Sequence, residues 1–200
     1  MKVSAIKQQV KRPDRYSIYV DGKYSFSLSE VAFLKCNLAS GQELTAAQID
    51  DYKRLSADDK MYNRALRYVA MRQRSIWEVE TYLTRKDCPP EVITQIIDRL
   101  KALGMLDDAR YAEMFVRDRQ LLRPTSKRKL LLELKVKRVP EADVQSALES
   151  VEVSETESLE QIIIKKRRQS RYQDDMKLMQ YLARQGFGYG DIKTALAQSD

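Results

Sequence analysis

Two pairs of adjacent carboxylates, Asp107-Asp108 and Asp174-Asp175, are the residues of this chain best suited to hold a magnesium ion for phosphodiester chemistry. An octahedral magnesium site draws on further oxygen ligands at short range, and no third carboxylate is spaced to complete either pair. Each pair instead falls where a helix should start. There a carboxylate caps free amides and answers the positive end of the helix dipole. Tyr111 and Tyr172 could act as nucleophiles only beside a base, and the chain contains no histidine. Cys36 and Cys88 are the only cysteines, 52 residues apart, without metal-ligand spacing. They are expected to be small apolar residues in a reducing cytoplasm. No catalytic residue, metal or cofactor is expected.

Charge carries more information. The 200 residues hold 36 Lys and Arg against 29 Asp and Glu, and the excess is local. Residues 117–138 contain nine cations, opposed only by Asp118 and Glu133. The first five are Arg117, Arg119, Arg123, Lys127 and Arg128, and Lys129, Lys135, Lys137 and Arg138 follow. A smaller group comprises Arg64, Arg67, Arg72 and Arg74, and another Lys165, Lys166, Arg167, Arg168 and Arg171. One cationic run is ordinarily a solvated helix face or an answer to the negative end of a helix. Three runs at equivalent places in a repeat would line one edge, suited to a polyanion or an acidic groove. Arg72, Arg74, Arg117, Arg119, Arg123, Lys127, Arg128, Lys165, Lys166, Arg167 and Arg168 are therefore the candidate contact residues.

That repeat is written in the apolar positions. Ser75, Leu83, Cys88, Ile93 and Ile97 are separated by 8, 5, 5 and 4 residues. Ser126, Leu134, Val139, Val144 and Leu148 repeat these intervals, as do Asp174, Leu182, Phe187, Ile192 and Leu196. Offsets of 51 and 48 residues are the scale of helical repeats, in which a capping residue opens a helix and apolar positions follow. Ser75 and Glu78 form a capping box, Pro89-Pro90 can open a third helix, and Gly104 should stop it with Met105 closing the cap. Trp77 is expected in the core.

Residues 1–28 read differently. Tyr16 to Val20 and Lys23 to Leu28 flank Asp21-Gly22, the signature of a two-residue hairpin turn, and Val3 to Val10 can add a strand. In that register Tyr19 faces Tyr24 and Ser17 faces Phe26. Short helices should follow Ser29 and Gly41, the second opened by a Thr45–Gln48 capping box. The fold class is mainly α: tandem three-helix repeats forming an elongated array, with a small β-hairpin or β-sheet plus helix extension at the N-terminus. The domains are 1–56 for that extension and 57–105, 106–152 and 153–200 for the repeats.

The segment LGMLDDARYAEMFVRDRQLLRP, from Leu103 to Pro124, resembles the signature of the RecX regulatory proteins. ALRYVAMRQRSIWEVETYLTRK is similar to that family's first repeat, and RYSIYVDGKYSFSLSEVAFLK to its β-containing extension. The likeness covers essentially the whole chain and is weakest in the third repeat. There are departures: Asp87, Ser126 and Arg138 stand where the family commonly has glycine, whereas Gly186 is retained. The resemblance implies a non-enzymatic, cytoplasmic monomer that lies along the RecA filament on single-stranded DNA. It implies modulation, chiefly inhibition, of RecA's ATPase, strand-exchange and coprotease activities in recombination, repair and the SOS response. Weak direct DNA contacts fit the charge, and no membrane is involved: no apolar run reaches ~18 residues. The alternative is a non-specific DNA-binding protein with no obligatory RecA partner, whose affinity would fall steeply with salt.

Overall fold

The computed structural model describes residues 1–151 and 154–198. Three antiparallel strands, β1 (Val3–Gln9), β2 (Arg12–Val20) and β3 (Lys23–Ser29), pair in sequence order. Asp21 and Gly22 both take positive φ, 46° and 80°, in the β2–β3 turn. Tyr19 pairs with Tyr24 as expected, but a bulge between Ile18 and Tyr19 shifts the rest of the ladder. Ser17 therefore pairs with Ser27, and Phe26 faces Ile18 rather than Ser17. The shift places both apolar side chains on the buried face, since one added residue reverses every later side chain.

Ser29 caps α1 (Glu30–Cys36) by accepting from the Ala32 amide, and Thr45 and Gln48 close the expected capping box on α2 (Ala46–Met71). α2 runs unbroken for 26 residues, passing residue 57 without interruption. Its first half covers the sheet: Ile49 is buried with Val3, Ile18, Phe26 and Leu28, and Tyr52 stacks on Phe26. These aromatics cover a small core. Beneath them Arg15, 3% exposed, meets Asp59 at 2.8 Å and donates to the Ser27 carbonyl, while Ser29 Oγ donates to Asp59.

The remaining helices are α3 (Ile76–Thr84), α4 (Pro90–Ala102), α5 (Asp108–Leu122), α6 (Lys127–Val136), α7 (Glu141–Ser150), α8 (Glu155–Arg167), α9 (Asp175–Arg184) and α10 (Tyr189–Gln198). A 3-10 turn, Ser170–Tyr172, precedes α9. The class is thus mainly α, in tandem three-helix groups, with a three-stranded N-terminal sheet. By contacts the chain divides into a unit of residues 1–72 and 80–100 and a second of 73–79 and 101–200. The second has two apolar cores, one among α5, α6 and α7 and one among α8, α9 and α10.

The repeated intervals mark one recurring turn. After α3, α6 and α9 the chain passes through positive φ at Asp87 (56°), Arg138 (53°) and Gly186 (91°). The next amide, of Cys88, Val139 or Phe187, donates back to the carbonyl of Leu83, Leu134 or Leu182. This is the Schellman closure, in which the residue after the left-handed one packs on the last helical turn. The three leucines and the three closing residues are all buried. Two expectations need correction. Gly104 does end α4 at positive φ, but Met105 is 40% exposed and Leu106 is the buried residue. Trp77 is half-buried, with the Arg138 guanidinium 5.9 Å above its ring.

Candidate macromolecular interface

Within the second unit, two joints are built from the same repeat positions. At the first, Ser75 Oγ donates to the Lys137 carbonyl (3.2 Å), the Ile76 amide donates to Asp108 Oδ1 (2.9 Å), and Lys137 Nζ reaches Glu78 Oε1 (2.9 Å). At the second, Ser126 Oγ donates to the Gln185 carbonyl (2.8 Å), the Lys127 amide to Glu155 Oε1 (2.7 Å), and Lys129 Nζ to Gln185 Oε1 (2.6 Å). Ser75 and Ser126 are wholly buried because each caps its own helix and bonds the next group at once. Ser158 Oγ adds a bond to Gln120 Oε1 (2.7 Å).

The joints explain two of the family departures. A Cβ on Gly186 would stand 2.4 Å from Ser126 Oγ, so any side chain at 186 would force Ser126 to shift from its bond to Gln185, besides the strain of φ 91°. Arg138 accepts a left-handed conformation that glycine would adopt more readily, and its side chain lies over Trp77.

The electrostatics of the first joint are unusual. Burial pushes the Asp108 carboxyl up, against the pull of the Ile76 amide. Burial acts to lower Lys137, but the hydrogen bond to Glu78, with Tyr111 nearby, leaves its pKa raised. All four carboxylates of the two acidic pairs have structural partners. Asp107 accepts from the Arg110 amide and Asp108 from Ile76, while Asp174 caps α9 and Asp175 meets Arg167. The Asp174 carboxyl is held below its ordinary range, first by the Lys177 amide. Among the described residues, no three Cys, Asp or Glu side chains gather as a metal site.

The candidate cations divide into committed and available groups. Arg119 pairs with Glu133 (3.0 Å) and lies 5.3 Å from the Phe115 ring. Lys166 sits 4.5 Å over Tyr181 and 5.2 Å over Tyr172, and Arg167 donates to the Gln173 carbonyl and to Asp175. Lys165, Lys166 and Arg167 occupy the last turn of α8, where cations satisfy the helix dipole. Arg72 and Arg74 flank the turn after α2, Arg72 exposed and Arg74 half-buried.

Arg117, Arg123, Lys127, Arg128, Lys165 and Arg168 are exposed, and none of their side chains has an ion-pair partner among the described residues. Arg123 ends α5 and Lys127 begins α6, so the short turn between them gathers Arg123, Lys127 and Arg128. Lys127, Arg128 and Lys129 fill the first turn of α6, and that turn has no acidic residue of its own. Lys129 is engaged by Gln185, and the Glu155 carboxylate accepts from the Lys127 amide at the helix start, whereas the Lys127 and Arg128 side chains have no ion-pair partner among the described residues. Sequence reasoning missed the joint: Ser75 and Ser126 were legible only as helix caps and Asp108 only as a helix-start carboxylate, and Glu155 carried no signal, because their partners across the joint lie about 30 to 60 residues away in the chain.

Four family models match in chain order: the RecX N-terminal domain over residues 1–45, and the first, second and third RecX three-helix domains over 62–100, 107–148 and 154–196. A regulatory protein RecX of Oceanobacillus iheyensis is 32% identical over all of this chain and 77% of its own length. The Bacillus subtilis protein of the same description is 28% identical over 98% of this chain and 76% of its own. A crystal structure of a regulatory protein RecX aligns over 98% of both chains with a TM-score of 0.75 and 29% identity. RecX from Lactobacillus salivarius aligns over 70% of this chain and 95% of its own, with a TM-score of 0.59 and 26% identity. No helix among the described residues is long and apolar enough to cross a membrane.

Proposed function

The chain belongs to the RecX family of regulatory proteins, and on that footing we propose that it binds the RecA filament on single-stranded DNA and inhibits RecA's ATPase, strand-exchange and coprotease activities. It acts in recombination and repair as a non-enzymatic cytoplasmic regulator. The observation that carries this reading is the exposed cation group at the α5–α6 turn. Lys127 and Arg128 stand exposed at the start of α6 without an ion-pair partner among the described residues, and Arg123 joins them from the end of α5. An external anionic surface accounts for cations kept at that position.

Arg117, Arg123, Lys127 and Arg128 form the central contact, with Lys165 and Arg168 as further contacts; Arg119, Lys166 and Arg167 position neighbouring side chains. Several weak contacts along a polymer reinforce one another through effective concentration, which suits a repeat protein acting on a filament. The test is a RecA ATPase assay on single-stranded DNA with this protein titrated in at substoichiometric ratios. Inhibition is expected. A rate unchanged by excess protein, together with salt-sensitive DNA binding that RecA does not alter, would establish the direct DNA-binding alternative instead.

A further inference from the structure

The available cations are interleaved with exposed aliphatic side chains at helical spacing. On α5, Arg110, Met114, Arg117 and Leu121 recur at intervals of 4, 3 and 4 residues, so they share one face, and all four are exposed. On α6, Arg128, Leu132, Lys135 and Val136 likewise share a face. Leu121 is 79% exposed, Leu132 56% and Val136 71%, with Leu122 beside them at 67%. The opposite faces supply the core: Tyr111, Ala112 and Val116 from α5, and Leu130 and Leu134 from α6. The exposed faces are therefore not core positions left partly covered. Arg119 and Glu133 tie the two helices across their flanks.

We propose that the exposed faces of α5 and α6 form one class of docking surface, for a protein partner presenting an acidic surface with apolar side chains. The proposal rests on the filament reading above and decides which component of the filament this surface meets. Single exposed leucines are ordinary, whereas several beside unpaired cations within residues 110–136 mark an interaction site. Phosphates satisfy cations but leave aliphatic side chains without a complementary partner, and single-strand binders stack bases on aromatic rings instead. The exposed apolar residues of these faces are aliphatic. A protein interface covers such residues, while surrounding charges choose the partner and its orientation.

The experiment compares the wild-type chain with the triple variant Leu121→Gln, Leu132→Gln and Val136→Gln. All three positions are exposed and glutamine is a good helix former, so circular dichroism and the unfolding midpoint should stay at wild-type values. Three quantities are measured: binding to RecA filaments on single-stranded DNA, anisotropy with the same oligonucleotide lacking RecA, and molar mass by sedimentation. The expected result is filament binding weakened at least about tenfold, with unchanged DNA binding and monomeric mass. Filament binding at wild-type strength would overturn this proposal alone, as would equal weakening on naked DNA. A wild-type dimer that the variant converts to monomer would assign the face to self-association and overturn it too. If the wild-type chain binds no RecA filament, the reading it rests on falls with it.

Discussion

Ser126 Oγ lies 2.8 Å from the carbonyl oxygen of Gln185, 59 residues further along the chain, and this one hydroxyl both starts α6 and fastens the second joint. Ser75 does the same toward Lys137 at the first joint.

Replacing Ser126 with alanine removes a helix cap and the shorter of two hydroxyl bonds to the Gln185 carbonyl, leaving only Thr125 Oγ1 at 3.4 Å. Each loss costs about 1 kcal/mol or somewhat more, so the variant should lose about 2–3 kcal/mol. Ser154 caps α8 in a more exposed setting and has only the cap to lose, so Ser154→Ala should cost about 1 kcal/mol. Urea unfolding of the two variants provides the comparison, and equal losses would remove the joint's special role.

Left-handed positions make a paired prediction. Gly186→Ala adds both strain at φ 91° and a collision with Ser126 Oγ, and should destabilise by at least about 2 kcal/mol. Combining it with Ser126→Ala should recover part of that loss. Asp87→Gly relieves the same kind of strain at φ 56° and should stabilise by about 1 kcal/mol. Thermal melts of the three variants read the signs directly.

The buried Arg15–Asp59 pair predicts a larger effect in the first unit. Asp59→Ala leaves the guanidinium buried with one partner fewer and removes the acceptor of two Ser29 hydrogen bonds. A loss of about 3–5 kcal/mol is expected in denaturant unfolding. Asp59→Asn, which keeps an acceptor, should lose less.

The first joint makes stability depend on pH in two windows. Lys137 has a raised pKa in the folded chain, so its contribution is complete below the unfolded lysine value and is lost as pH rises through the folded one. Asp108 is also raised, so between its unfolded and folded values the native chain holds a proton that the unfolded chain has released. Stability from that group falls as pH rises across the window. Asp108→Asn keeps an acceptor for the Ile76 amide and should flatten the acidic part of the profile, measured as unfolding free energy against pH. Lys137→Met should flatten the alkaline part.

Charge reversal tests the contact directly. Arg117, Arg123, Lys127 and Arg128 changed to Glu should abolish inhibition of the RecA ATPase with unchanged circular dichroism. Arg119 is left in place because it pairs with Glu133, and its reversal would set two carboxylates together. A quadruple variant that inhibits at wild-type concentrations would remove this turn from the contact surface.

Local structure was legible because its causes are local. The hairpin at Asp21-Gly22, the capping boxes at Thr45 and Ser75, and the helix stop at Gly104 all depend on residues within one or two turns. The family resemblance, not the leucine spacing, marked Asp87, Arg138 and Gly186 as glycine positions, and the structure places all three at positive φ. The bulge at Ile18 was not legible, since strand register answers to a core shared with α2.

The charge runs show the same division. By itself the sequence determined where cations concentrate, which helices they fall on and which family the pattern resembles. Only the tertiary structure decided that Arg119, Lys166 and Arg167 are committed within the fold while Arg123, Lys127 and Arg128 are exposed. Whether a side chain is paired depends on Glu133, Tyr181 or Asp175 arriving beside it. Those arrivals are set by packing between helices, which a count of charges along the chain does not contain.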